Sequence, residues 1–264
     1  MENLKIIVSD LDGTLLLNDA QSLRPNTCEL IEKFLERGIY FVAASGRPYE
    51  NLQRLFEPIK NKIAYVTDNG CQSIVDGKII YRAKMSRELG QKAIKAITEH
   101  DKDCKIFAAC SSTIYAQDDE KDFIKMMSEV VGFKITPVES ILNLPEDYMK
   151  ISIYNNHVDA NNKFLKGVVG NELTVQTSGS VWLDVIPKGT NKATAFEKIL
   201  DYWKISPDNC MMFGDNDNDK EILSLVGCPV VMKSAREEIQ KFGKYTTDTV
   251  ENALIKILEG SFKK

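Results

Sequence analysis

Histidine is almost missing from this chain, with only His100 and His157 in 264 residues. Neither has a spacing that suggests a triad or a metal set, and no role falls to them. No apolar run approaches the ~20 residues that cross a bilayer, which excludes a membrane-spanning transporter or ion pump. There is no excess of positive charge either. Lys plus Arg is 34 against 38 for Asp plus Glu, a formal net charge of −4, and no basic block stands out. Such a chain is a poor general nucleic-acid binder. No CxxC pair occurs among Cys28, Cys71, Cys104, Cys110, Cys210 and Cys228. They read as reduced core thiols rather than a disulfide framework. A secretory signal is lacking too, because the first apolar run, Ile6-Ile7-Val8, soon meets Asp10; a cytoplasmic location is the expectation. Internal repeats and low-complexity segments are also lacking.

What is present is ordinary globular material, 43% hydrophobic and 27% charged. The length suits one large domain or two modest ones. Short β-rich runs alternate with amphipathic stretches. Leu4–Ser9 is apolar nearly throughout, as a strand buried on both faces should be. Leu30, Ile31, Phe34 and Leu35 have helical spacing, and Gly38 follows as a stop. Ile39–Ala44 and Ile63–Thr67 read as further strands, with a helix over Tyr49–Phe56 between them. Asp76-Gly77 marks a hairpin turn.

From about residue 83 strands begin to follow one another without helices between them, which implies antiparallel pairing. A helix is expected over Lys121–Val130. Aromatic residues here, such as Phe107, Tyr115 and Tyr154, fall at strand positions and read as core. The α/β rhythm resumes near residue 184 and runs through helices at Lys192–Trp203, Ala235–Phe242 and Val250–Leu258. The expected fold is α/β, with a doubly wound, Rossmann-like parallel sheet formed by residues 1–82 and 184–264. Residues 83–183 form an inserted α+β domain.

Four short segments carry chemistry. Asp10-Leu11-Asp12-Gly13-Thr14 follows the first strand at its carboxyl end, where open α/β sheets bind ligands. Two carboxylates two residues apart can hold a hard divalent cation, or divide attack and proton transfer between them. An Asp-Gly turn that only closes the strand is the bland alternative. Gly214-Asp215-Asn216-Asp217-Asn218-Asp219 follows another short strand and concentrates negative charge. An EF-hand is excluded, because Lys220 and Val226 stand where that loop needs Gly and Glu; a solvated helix-capping turn is not. Ser45-Gly46-Arg47 offers a hydroxyl, a flexible amide and a guanidinium to an oxyanion such as phosphate, or else makes an ordinary strand-to-helix turn. Gly189-Thr190-Asn191-Lys192 opens a helix with a compact cation, which alone would be a solvated lysine. A doubly wound sheet can gather all four, and together they fit metal-assisted phosphoryl transfer.

In this order and spacing the motifs resemble those of haloacid dehalogenase superfamily phosphatases of the Cof-like branch. Asp10 to Leu15 matches DxDGTL, Ser45-Gly46-Arg47 the second motif, Lys192 the motif-three lysine, and Gly214 to Asp219 the pattern GDxxND. Asn69-Gly70 resembles an Asn-Gly found after the third strand in this branch. The chain departs from the common pattern at Ala193 and at Lys233-Ser234.

The resemblance implies a Mg²⁺-dependent phosphatase of small phosphomonoesters, such as sugar phosphates or phosphorylated cofactors. Asp10 would be the nucleophile and Asp12 the acid–base. The metal would be held by the Asp10 carboxylate, the Asp12 carbonyl and Asp215, with Asp219 supporting it through water. Ser45, Gly46, Arg47, Lys192 and Asn218 would bind or orient the phosphate. The inserted domain would be a cap that closes over the site and chooses the substrate. A phosphotransferase or mutase using the same intermediate, and a non-catalytic phosphometabolite binder, are the rival readings.

Overall fold

The computed structural model describes residues 3–18, 20–111, 113–178 and 180–263. It divides into two compact units, Met1–Tyr81 with Asn191–Lys264, and Arg82–Thr190. In chain order the first segment holds β1 (Ile6–Ser9), α1 (Thr27–Leu35), β2 (Tyr40–Ala44), α2 (Tyr49–Leu55), β3 (Ala64–Thr67), β4 (Gln72–Val75) and β5 (Lys78–Arg82). The second unit runs through α3 (Arg87–His100), β6 (Lys105–Ala109), β7 (Ile114–Gln117), α4 (Lys121–Met126), β8 (Ile135–Val138), β9 (Lys150–Tyr154), α5 (Val158–Val169), β10 (Leu173–Thr177) and β11 (Trp182–Pro187). The chain then returns to the first unit with α6 (Lys192–Trp203), β12 (Cys210–Gly214), α7 (Lys220–Leu225), β13 (Cys228–Met232), α8 (Glu237–Gln240), β14 (Tyr245–Thr247) and α9 (Val250–Leu258). None of the described helices is long and apolar enough to cross a membrane.

The first unit is built on one sheet of order β14-β13-β12-β1-β2-β3-β4-β5. Pairing is parallel from β14 to β3 and turns antiparallel at β4. The chain winds outward from β1 in both directions, so β1 is the switch point, and the loop after it opens the ligand-binding crevice. Alternating side chains explain why β1 is apolar throughout. Ile7 packs into the layer with Ile31, Phe34 and Leu254, while Ile6 and Val8 pack on the other face with Phe196, Ile199 and Ile222. Each of these fully buried side chains contributes roughly 1.5–3 kcal/mol. The Asp76-Gly77 turn has positive φ at both residues, 50° and 69°, as the tight β4–β5 hairpin requires.

The second unit has a sheet of order β10-β11-β9-β6-β7-β8, with α3 and α5 packed on one face through Ile94, Ile97, Leu165 and Val169. Sequence neighbours β6–β7 and β10–β11 pair antiparallel as expected. β8 and β9 do not pair at all; β8 joins β7 in parallel. Phe107 and Tyr115 are buried, and Tyr154 meets Phe123 and Trp182 ring to ring. Other details depart from expectation. The Lys121–Val130 helix widens into a π-helical turn at Met127–Val131 before Gly132 ends it in the left-handed region. The Ala235–Phe242 helix shortens to α8, and the short edge strand β14 was not foreseen.

Candidate active site

Asp10 leaves the end of β1 with its amide bonded to the Phe213 carbonyl of β12 at 2.9 Å. The switch point thus places it directly opposite the loop that carries Asp215 and Asp219. Its carboxylate is buried. Lys192, in the first turn of α6, reaches it with Nζ 2.5 Å from Oδ1 and donates to Asp219 Oδ1 at 2.7 Å. The Lys192 side chain is fully buried, 0% exposed. The lysine read in isolation as solvated is therefore a strut between two carboxylates. A buried ammonium needs such partners, because one left unpaired costs several kcal/mol. Asn191 caps α6, its side chain accepting from the Thr194 amide at 2.9 Å, and so fixes where Lys192 enters.

The second acidic loop sorts its three aspartates. Asp219 is spent internally, since Oδ1 takes Lys192 while Oδ2 accepts the amides of Asp215 and Asn216 at 3.1 and 3.2 Å. Asp217 is paired with Lys220 at 2.6 Å and with Arg236, and these partners hold its carboxyl below the usual range. Asp215 points to Asp10, with Oδ1 held by the Thr14 hydroxyl at 2.7 Å. The approach is close: a Cβ on Gly13, where φ is +87°, would fall 2.3 Å from Asp215 Oδ2. Asp10, Asp215 and Asp219 bring carboxylate oxygens within 4.8 Å of one another.

Burial pushes the Asp10 carboxyl well above the ordinary range. Lys192 offsets part of that push, and Asp219 and Asp215 add to it. Asp215 is raised as well, first by burial. For Lys192, burial pulls downward, but Asp10 and Asp219 more than offset it, and the ammonium stays charged. One lysine leaves this acidic cluster short of positive charge. An all-oxygen donor set with that deficit fits a hard divalent cation, with Asp10 and Asp215 as the carboxylates to hold it.

Asp12 lives in a different environment. Its side chain is 55% exposed, and the Arg47 guanidinium grips it, Nη2 at 2.6 Å from Oδ1 and Nε at 3.0 Å from Oδ2. Arg47 Nη1 in turn donates to Asn51 of α2 at 3.1 Å. Arg47, expected on the phosphate, is thus placed on the second carboxylate. Ser45 is buried after β2, its hydroxyl accepting the Arg47 amide at 3.1 Å, with Gly46 between them. Asn218 Nδ2 donates to Asn69 Oδ1 at 3.0 Å. Sequence reasoning gave no role to Thr14, Asn51 or Asn69. Thr14 lay inside a quoted motif, and Asn51 lies in the first turn of α2, just after the Pro48 that separates the helix from Arg47.

A phosphate-handling hydrolase is the class this fold and site define, and known proteins agree. The model of the haloacid dehalogenase-like hydrolases matches residues 7–258. A 5-amino-6-(5-phospho-D-ribitylamino)uracil phosphatase of Escherichia coli is 26% identical over 92% of this chain and 90% of its own. A phosphatase of the same description from Bacillus subtilis is 26% identical over 93% of each. Among solved structures, a protein of Eubacterium rectale has a TM-score of 0.86 at 26% identity, covering 98% of this chain and 100% of its own. A haloacid dehalogenase subclass IIB sugar phosphatase has the same fold, at a TM-score of 0.81 and 22% identity over 98% of this chain and 100% of its own. The chain belongs to the haloacid dehalogenase-like hydrolases and is a phosphatase of small phosphate esters within that family.

Proposed function

We propose that the protein hydrolyses phosphomonoesters through a phosphorylated Asp10, with Mg²⁺ as its cation. The observation that carries this reading is the contrast between two carboxylates two residues apart. Asp10 is buried against Lys192 and Asp215, while Asp12 is half exposed and held by Arg47. Environments that differ this much divide a nucleophile from an acid–base. Asp10 attacks phosphorus, and the bond from phosphorus to the ester oxygen breaks as Asp12 gives that oxygen a proton. Asp12 then takes a proton from water, which attacks the phosphoryl group and releases phosphate and the Asp10 carboxylate. Lys192 offsets the repulsion between the Asp10 carboxylate and the anionic substrate, strongly so in a buried site. Mg²⁺, held by Asp10 and Asp215 with the Asp12 carbonyl, would supply further positive charge to the phosphoryl oxygens. Ser45, Gly46 and Asn218 are the proposed phosphate contacts.

The substrate is a small sugar phosphate or a phosphorylated heterocycle of the kind named for the Escherichia coli and Bacillus subtilis relatives. Every residue in this scheme belongs to the first unit. The selection of the rest of the substrate is assigned to the Arg82–Thr190 unit, as a cap. The test is a screen of metabolite phosphates with purified protein, with and without chelator, beside Asp10→Asn. Turnover should vanish in chelator, return with Mg²⁺, and fall by about 10³-fold or more in Asp10→Asn. Full activity in excess chelator, or a variant within tenfold of the parent, would sink the scheme.

A further inference from the structure

The corner between β3 and β4 is built at a conformational cost that a plain connection would not need. Three consecutive residues, Asp68, Asn69 and Gly70, lie in the left-handed region, with φ of 53°, 57° and 95°. Left-handed non-glycine residues are uncommon, and two in a row rarely persist unless their surroundings hold them. Here the surroundings are the site's own loops. The Asp68 amide donates to the Arg47 carbonyl at 3.1 Å and the Asn69 amide to the Ser45 carbonyl at 3.0 Å. The Asn69 side chain is buried and accepts from Asn218 at 3.0 Å. Gly70 sits so close to the start of α6 that a Cβ there would fall 2.0 Å from the Asn191 carbonyl oxygen. One corner thus touches the loop of Ser45, the loop of Asn218 and the helix start that carries Lys192.

We propose that Asn69 is a positioning residue for phosphate recognition. Its amide oxygen fixes the orientation of the Asn218 side chain while its backbone fixes Ser45. The inference rests on the reading of Asn218 and Ser45 as phosphate contacts. A glycine at 69 keeps the left-handed backbone and removes only the side chain.

The experiment is a double-mutant cycle on the full chain with Mg²⁺ present: parent, Asn69→Gly, Asn218→Ala and both together. The readouts are binding of inorganic phosphate by calorimetry, inhibition by phosphate, and kcat and KM on a nitrophenyl ester. Asn69→Gly should weaken phosphate about tenfold, the scale of one lost hydrogen bond to a charged ligand, with a melting temperature near the parent's. In the Asn218→Ala background the same change should cost phosphate binding nothing further, because either variant alone already breaks the Asn69–Asn218 bond. Phosphate binding unchanged in Asn69→Gly, or losses that multiply in the double variant, would overturn the proposal. Should Asn69→Gly not fold, Asn69→Asp keeps the acceptor, and Asn218→Ala must then cost its full factor in that background. A parent that binds phosphate but leaves esters intact defeats the catalytic reading and leaves this one standing. A parent that neither binds phosphate nor is inhibited by it defeats this one.

Discussion

At the scale of single residues, the sharpest contrast is between Asp10 and Asp12, and it has a measurable consequence. If Asp12 handles protons, its loss matters in proportion to the leaving group's need for one. A nitrophenolate departs unprotonated, whereas a sugar alkoxide does not. In single-turnover experiments Asp12→Ala should therefore still phosphorylate Asp10 from a nitrophenyl ester and should fail with a sugar phosphate. The phosphorylated Asp10 should then persist, since no base activates water. Equal losses with both substrates would leave Asp12 as a metal-site residue only. Much of this contrast was legible in the sequence, because both carboxylates lie within five residues after a strand. What the sequence hid was the partner of each. Arg47 stands 35 positions from Asp12 and Asp215 stands 201 from Thr14, and no local pattern encodes either pairing.

At the scale of elements, sequence and structure agree where burial dictates pattern. β1 through β3 and β12 read as strands because both faces are covered and the runs are apolar. They disagree at edges. β14 has three residues, Tyr245 to Thr247, too few for alternation to register. α8 covers four residues of an eight-residue apolar spacing that turns could supply equally well. The pairing of β8 with β7 rather than β9 is a long-range choice that strand content alone does not reveal. The glycines of the first unit allow a test at this scale. Gly77, with φ of +69°, faces open space, so Gly77→Ala should cost about 1 kcal/mol of backbone strain. Gly70→Ala adds a backbone clash to the same strain and has to push α6 aside. It should cost more than ~3 kcal/mol, and activity should fall with it as Lys192 shifts. Urea midpoints of the two variants check this, and equal midpoints would refute the close approach.

At the scale of the whole molecule, buried thiols set a limit at high pH. Burial pushes Cys210 and Cys110 up to about 12, and Cys104 and Cys228 up to about 11. Unfolded cysteine titrates near ~8.5. The folded state thus keeps protons that the unfolded state releases. Stability is fully present below about pH 8.5 and declines as pH rises toward 11 to 12, with ∂ΔG/∂pH negative throughout. The urea midpoint should be lower at pH 10.5 than at pH 8, and a flat profile would contradict the burial. The lysine strut has a different consequence, one of timing. Lys192 joins Asp10 across 182 residues of chain, and Asn218 joins Asn69 across 149. Ordering contacts so remote carries a loop-closure cost that nearby strand pairs avoid, and such contacts slow folding. Between them lies a unit that closes on itself from Arg82 to Thr190. In refolding, helical signal should return before phosphatase activity, and simultaneous recovery would contradict this order. Synthesis delivers Asp10 well before Lys192, and the carboxylate waits through 182 further residues for its counter-charge.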